Sequence, residues 1–439
     1  MATERYVLLG LAQPKSAWFR TVAQWTTAAH VPGEFIKCLS AEELRARLAS
    51  GRHHSAVLVD AGHPGLDRDL VASARRGGVP VFAVGTPGRG RWSAPDLGVT
   101  GVLPADFGRT TLMDALTAHC RPISRGDQSP LTPPDDAFPA WRGRLFGVCG
   151  PGGTGASTVA IALAQGYAGD PRTSGRTLLA DFALCAEQAM LHDSIEVSPG
   201  VQELVEAHRI RRPPNEEVSS MTYLVESRRY RLLLGLRQHR FWSTIRPMAF
   251  DASVDSLRAA FEVVVADIDC DLEGESDGGS MDVQERHHMA RSVAARADVV
   301  LAVGRPGMKG LHSLVRVIVD LLEHGVAGAR ILPVFAAAPK HPPARAQLTG
   351  GLAALVSAHD GAADISAPLF LPERHVDDLL RDGVCLPDAL VEPLVGAVDA
   401  LVERQLDLAP PVVEPALVSP GSLGRWNDDE LALGGADSE

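Results

Sequence analysis

Residues 147–158 read GVCGPGGTGAST, and the fold of the chain turns on how that stretch is read. On the phosphate-loop pattern GxxxxGK followed by Ser or Thr, the fixed glycines fall on Gly150 and Gly155 and the hydroxyl on Ser157. The lysine position holds Ala156. The apolar run RLFGVCG leads into the turn, and STVAIALAQGYA leads out of it with helical periodicity. Strand, glycine turn and helix in that order are the context such a match requires. Gly152, Gly153 and Gly155 let main-chain N–H groups converge on an anion where the helix begins. The candidate anion-binding residues are therefore Gly150, Pro151, Gly152, Gly153, Thr154, Gly155, Ala156, Ser157 and Thr158, with Ser157 a candidate Mg²⁺ ligand. The bland alternative is a glycine-rich turn that holds nothing.

Two later segments, RTLLADFALCAEQAMLHD and FEVVVADIDCD, are apolar strands ending in aspartate at Asp181 and Asp267. Acids at strand ends gather along one edge of a parallel sheet. Asp267 is the better candidate for the acid that supports Mg²⁺. RADVVLAVGRPGMKGLHSLVRVIVDLLEHG then supplies another strand and helix, and ARILPVFAAAP a further strand.

The first 120 residues alternate strand and helix patterns, from RYVLLGLA through SAVLVDAG and VPVFAVGT to TTLMDALTAHC, which predicts a second parallel sheet flanked by helices. Residues 121–141 are rich in Pro, Ser and Asp and read as a linker. LPDALVEPLVGAVDALVERQL closes the region 142–407 with helical spacing, and the Pro/Gly-rich acidic stretch 408–439 reads as a disordered tail. The expected class is α/β, with one parallel-sheet domain over 1–120 and a larger one over 142–407.

Composition narrows the options. The chain has 439 residues and a formal net charge of −12, which argues against dominant electrostatic binding to nucleic acid because phosphate neutralisation needs clustered cations. Six scattered cysteines form no CxxC pair and point to a reducing cytoplasm. No run of about 18 apolar residues is present to span a bilayer. The stretch ESRRYRLLLGLRQHRFW carries six basic residues, His239 included, and reads as a strand with a solvated positive loop. His287 and His288 read as surface residues.

The pieces GPGGTGAST, LLADFAL followed by SPGVQELVEA, FEVVVADID, ADVVLAVGRP and LPERHVDDLLRDGVCLP resemble, in this order, the MinD/ParA group of deviant Walker ATPases. Within it the chain is similar to the CpaE/TadZ-like proteins of pilus assembly and the actinobacterial septum-site-determining proteins. The N-terminal segment resembles a flavodoxin-like response-regulator receiver domain, with Asp60 near the place of the phospho-accepting aspartate. Gly10, Leu11 and Ala12 stand where further acids are expected, and Pro104, Ala105 and Asp106 where a lysine is expected. Asp60 therefore reads as an acid serving the turn before Gly62 and Pro64.

The resemblance implies an ATP and Mg²⁺ site, a homodimer, a protein partner from the division or the pilus and secretion machinery, and recruitment to membrane, pole or septum. It also exposes losses. Pro151 and Ala156 stand at the group's two lysine positions, Ala183 replaces the acid that orients water, and the adenine-reading asparagine is absent from PVFAAAPK. The chain has only four lysines, yet the two loop positions are not arginine, so charge was removed and not merely exchanged. One charge-assisted hydrogen bond contributes about 1.5 to 3 kcal/mol, so binding can survive its loss, weakened by one to two decades. Removing one catalytic cation can slow hydrolysis by about 10³ to 10⁵, so turnover is expected to be very slow or absent. A slow ATPase using Arg305, Lys309 or a partner's cation, and a scaffold without nucleotide, stay open.

Overall fold

A computed structural model describes residues 5–13, 16–28, 30–49, 52–86, 97–123, 142–274 and 281–408. Almost all of the expected linker and tail lies outside them. The N-terminal sheet contains β1 (Tyr6–Leu11), β2 (Gly33–Cys38), β3 (Ala56–Asp60), β4 (Val81–Val84) and β5 (Gly101–Leu103). Its order is β2-β1-β3-β4-β5, with every neighbouring pair parallel, the order of a doubly wound sheet that switches direction at β1/β3. Helices α1 (Ala17–Thr27), α2 (Ala41–Ala49), α3 (Arg68–Arg76) and α4 (Arg109–His119) intervene. Strand alternation explains the two covers. Leu8 and Leu58 pack with Trp18, Val22 and Leu112 on one face, and Leu9, Leu11 and Val57 with Leu44 and Leu70 on the other. Strands buried on both faces read as unbroken apolar runs, as YVLLGL does.

The second sheet has eight strands: β6 (Arg144–Cys149), β7 (Thr177–Asp181), β8 (Tyr223–Val225), β9 (Tyr230–Leu233), β10 (Val263–Asp267), β11 (Val299–Gly304), β12 (Ile331–Ala338) and β13 (Leu369–Pro372). Their order is β13-β12-β11-β6-β10-β7-β9-β8. All pairs are parallel except β8 with β9, which is antiparallel. The helices of this half are α5 (Ala156–Gly169), α6 (Gln188–Leu191), α7 (Val201–His208), α8 (Asn215–Ser220), α9 (Pro247–Ala260), α10 (Met281–Arg286), α11 (His288–Arg296), α12 (Met308–Glu323), α13 (Pro342–Val356), α14 (Asp377–Arg381) and α15 (Asp388–Leu408).

Helix α5 and much of α15 cover one face with Phe146, Val148 and Leu301, while α7, α9, α11 and α12 cover the other with Leu145, Val264 and Val300. A Cβ on Gly166 would lie 2.9 Å from Val391 Cγ1, so glycine is what lets α5 and α15 approach. Gln165 fastens the pair by giving and taking a hydrogen bond with the main chain of Leu386, at 2.9 and 2.7 Å.

The arginine-rich stretch matches the expected strand and solvated loop in part: Arg229, Arg237, His239 and Arg240 are exposed, whereas Arg228 and Arg231 turn inward. Arg228 is 1% exposed, donating to Val384 O at 3.0 Å and Leu379 O at 3.1 Å, and Arg231 donates to Thr222 Oγ1 at 2.6 Å. Main-chain carbonyls, and for Arg231 a threonine hydroxyl, give these guanidinium groups partners inside the fold. The histidine pair departs likewise: His287 is buried, and His288 Nε2 lies 3.1 Å from Asp251 Oδ1. Residues through Val402 form one compact unit; of the second unit, from Glu403 on, only the end of α15 is described.

Within that compact unit α3 touches the larger half. Arg68 donates from its main chain to Arg209 O at 3.1 Å and from Nε to His208 O at 2.9 Å. Asp69 Oδ1 accepts from Met248 N at 3.0 Å. Asp60 serves its own turn, as expected: its carboxylate accepts from Gly62 N at 3.3 Å and from the Ser16 hydroxyl.

Candidate functional site

Strands β6, β7, β10 and β11 run parallel in register, so their C-terminal ends open onto one edge of the sheet. There the chain leaves β6 through Gly150–Gly155 and enters α5. Two glycines make that turn possible. Gly153 at φ 78° and Gly155 at φ 89° occupy the left-handed region that side chains with a Cβ avoid. Gly150 is required for a different reason: a Cβ there would meet Val303 O at 2.5 Å and Thr154 Oγ1 at 2.7 Å. Thr154 Oγ1 ties the turn by donating to Pro151 O at 2.7 Å.

A cavity of about 760 Å³ opens over the turn, and every residue from Gly150 to Thr158 lines it. A Cβ built on Gly152, Gly153 or Gly155 would meet nothing within 4 Å, so the main chain faces open space. A bare main chain at the start of a 14-residue helix favours a phosphate through its N–H groups and the helix field. The cavity volume falls in the range of small-molecule sites.

Asp267 ends β10 and lines the cavity. Its Oδ2 accepts from Gln188 Nε2 at 2.7 Å. Burial pushes this carboxyl up to about 6, with hydrogen bonds from Gln188 and Ser157 opposing the rise. Asp181 pairs with Asp267 across β7 and β10 but does not line the cavity. It is fully buried and turned to the main chain, accepting from Gln188 N at 2.9 Å and Ala183 N at 3.3 Å. Burial, then the Asp267 charge, raises its carboxyl well above the usual range. The structure thus brings the turn, Ser157 and Asp267 to the cavity and sets Asp181 behind them as a fastening for the loop after β7.

The residues present fit ATP with Mg²⁺. Mg²⁺ usually keeps several waters and takes one or two protein carboxylates plus substrate phosphates, and Ser157 and Asp267 supply two oxygen donors beside the open turn. Gln188, buried behind the cavity wall, donates to Asp267, and its Oε1 has no hydrogen-bond partner. Among the described residues no group of three or more His, Cys, Asp or Glu is placed to hold a metal alone.

Among the described residues, three arginines line the cavity. Arg305, just past β11, lines it, as do Arg286 and Arg374; Lys309, on α12, does not. The strand that lacks the base-reading asparagine also contributes. Ala336 and Ala337 line the cavity, and Ala337 adopts φ 52° where the β12/β13 register shifts. Gln188 carries no motif signal in the sequence; Arg374 and Ala337 lie within LPERHVDDLLRDGVCLP and PVFAAAPK, where nothing sets them apart from their neighbours.

No family model and no curated protein matches the chain. Among solved structures, a ParA family ATPase from Chlorobium tepidum TLS is similar at 14% identity and a TM-score of 0.45, covering 60% of this chain and 99% of its own. An ATP complex of a McdA variant from Cyanothece is similar at 15% identity and a TM-score of 0.41, covering 62% and 99%. The pnob8 ParA structure is similar at 10% identity and a TM-score of 0.38, covering 61% and 99%. Likeness this loose assigns neither fold nor function. Among the described residues no helix is long and apolar enough to cross a membrane.

Proposed function

We propose that this chain is a regulatory or positioning protein of the MinD/ParA type, whose larger half binds ATP with Mg²⁺ and hydrolyses it very slowly or not at all. The observation that carries this reading is the open glycine turn Gly150–Gly155, lined up with Ser157 and Asp267 and without a lysine of its own. Main-chain donors grip a triphosphate, while the charge that develops in phosphoryl transfer meets no preorganised lysine. ATP then acts as a switch for a homodimer, shifting that equilibrium by its differential affinity for the two states.

The smaller half, residues 1–120, is a receiver-shaped module that recognises a partner without accepting a phosphoryl group. Its process is septum placement or the placement of a Tad-type pilus or secretion apparatus, in the manner of CpaE/TadZ-like proteins, in the cytoplasm with recruitment by that machinery. The domains run 1–120 and 142–407, joined by the linker 121–141 and followed by the tail 408–439.

A second reading, a genuine slow ATPase, is favoured by one observation: Arg305 lines the cavity. Titration with a fluorescent ATP analogue, followed by a phosphate-release assay with Asp267→Ala as control, separates the two. Binding without release supports the switch. Steady release that Asp267→Ala abolishes supports the enzyme, and no binding leaves a scaffold.

A further inference from the structure

Gln188 sits at a junction that the glycine-turn pattern does not contain. It is 0% exposed and starts the four-residue helix α6. Its main-chain N–H donates to Asp181 Oδ2 at 2.9 Å and its Nε2 to Asp267 Oδ2 at 2.7 Å. The same Nε2 lies 3.4 Å from Ser157 O. One residue therefore bridges the ends of β7 and β10 and the first turn of α5. Its own position is fixed from below: His192 Nδ1 is 2.7 Å from Gln188 O, and His192 Nε2 is 2.6 Å from Tyr230 Oη.

Burial lowers His192 to about 4, so the ring is neutral at physiological pH, and its two contacts then fix the tautomer. Gln188 O only accepts, so Nδ1 carries the proton, and Nε2 accepts from the Tyr230 hydroxyl. Tyr230 is wholly buried. The chain of contacts from Tyr230 through His192 and Gln188 to Asp267 thus has a single donor direction throughout.

We propose that Gln188, held by His192 and Tyr230, is a positioning residue for the divalent ion of this site: its amide aims Asp267. This rests on the nucleotide-site reading above. Outer partners that orient a metal-binding carboxylate usually matter by about 10- to 100-fold in metal affinity. A group that merely held the fold together would weaken nucleotide and metal binding alike.

The test uses the full chain and a fluorescent ATP analogue, titrated in EDTA and then with Mn²⁺, with bound Mn²⁺ read by electron paramagnetic resonance. The uncharged, similarly shaped Gln188→Met removes the donor to Asp267, and Tyr230→Phe removes the donor to His192 Nε2 with almost no change of shape. Both should bind the metal-free analogue as wild type does. Mn²⁺ affinity of the complex should fall about 10- to 100-fold in Gln188→Met and a fewfold in Tyr230→Phe, with an altered Mn²⁺ spectrum. Wild-type Mn²⁺ affinity in both variants overturns the proposal while the nucleotide reading stands. Equal loss of metal-free and Mn²⁺-dependent binding overturns it in favour of a structural role. A wild-type chain that binds no analogue overturns both readings.

Discussion

At Ala337 the main chain turns left-handed, φ 52°, with a methyl group attached, a conformation that disfavours residues with a Cβ by about 1–2 kcal/mol. Ala337 lies on the cavity wall, and strain of this kind persists where the surroundings over-determine the chain. Ala337→Gly is therefore expected to raise stability by about 1 kcal/mol in urea unfolding. Two histidines, His208 buried and His192 half-buried, set a pH limit. Burial lowers His192 and His208 to about 4, from an ordinary 6.5. The folded state then binds fewer protons than the unfolded chain between these values, so the stability is present above 6.5 and lost as pH falls toward 4. Each histidine takes away about 2 kcal/mol by pH 5, and His208→Gln should recover about that much of the difference in urea midpoint between pH 7.5 and pH 5. The glycines were legible because their spacing is a main-chain requirement. Gln188 was not, because a glutamine's partners are chosen by tertiary packing, and the inward turn of Arg228 and His287 was hidden for the same reason.

Among the described elements, α3, with the loop before it, ties the halves of the compact unit together. Its first turn presents opposite charges to opposite helix ends. The Arg68 guanidinium meets the carbonyl end of α7 at His208, and the Asp69 carboxylate caps the amide end of α9 at Met248, each matching the helix dipole it faces. Arg246, the residue at the cap of α9, offers no side-chain bond of its own, so the cap comes from the other half. Asp69→Ala should lower stability by about 1 kcal/mol, and Asp69→Asn, which keeps an acceptor, by much less, both read from urea midpoints. The strands and the helix after the glycine turn were plain in the sequence because buried parallel strands read as unbroken apolar runs. The α3 contact was not, because a capping acid supplied across 179 residues leaves no local spacing to recognise.

At the scale of the molecule, two sheets meet through that helix, and residues through Val402 form one compact unit. A single calorimetric unfolding transition is expected, and Arg68→Ala combined with Asp69→Ala should split or broaden it. The two-sheet α/β plan was legible from alternating strand and helix patterns; the antiparallel β8 edge was not, since three-residue strands carry too little periodicity. The central claim, that bare main chain can hold a triphosphate without a lysine, has a direct test at Gly152. A Cβ there meets no protein atom within 4 Å, and its φ lies outside the left-handed region, so Gly152→Val should fold normally while filling the space above the turn. Isothermal calorimetry with ATP and Mg²⁺ is predicted to give saturable heat with the wild-type chain and none with Gly152→Val. Wild-type titrations without heat at millimolar ATP, or equal heat from both proteins, would contradict it.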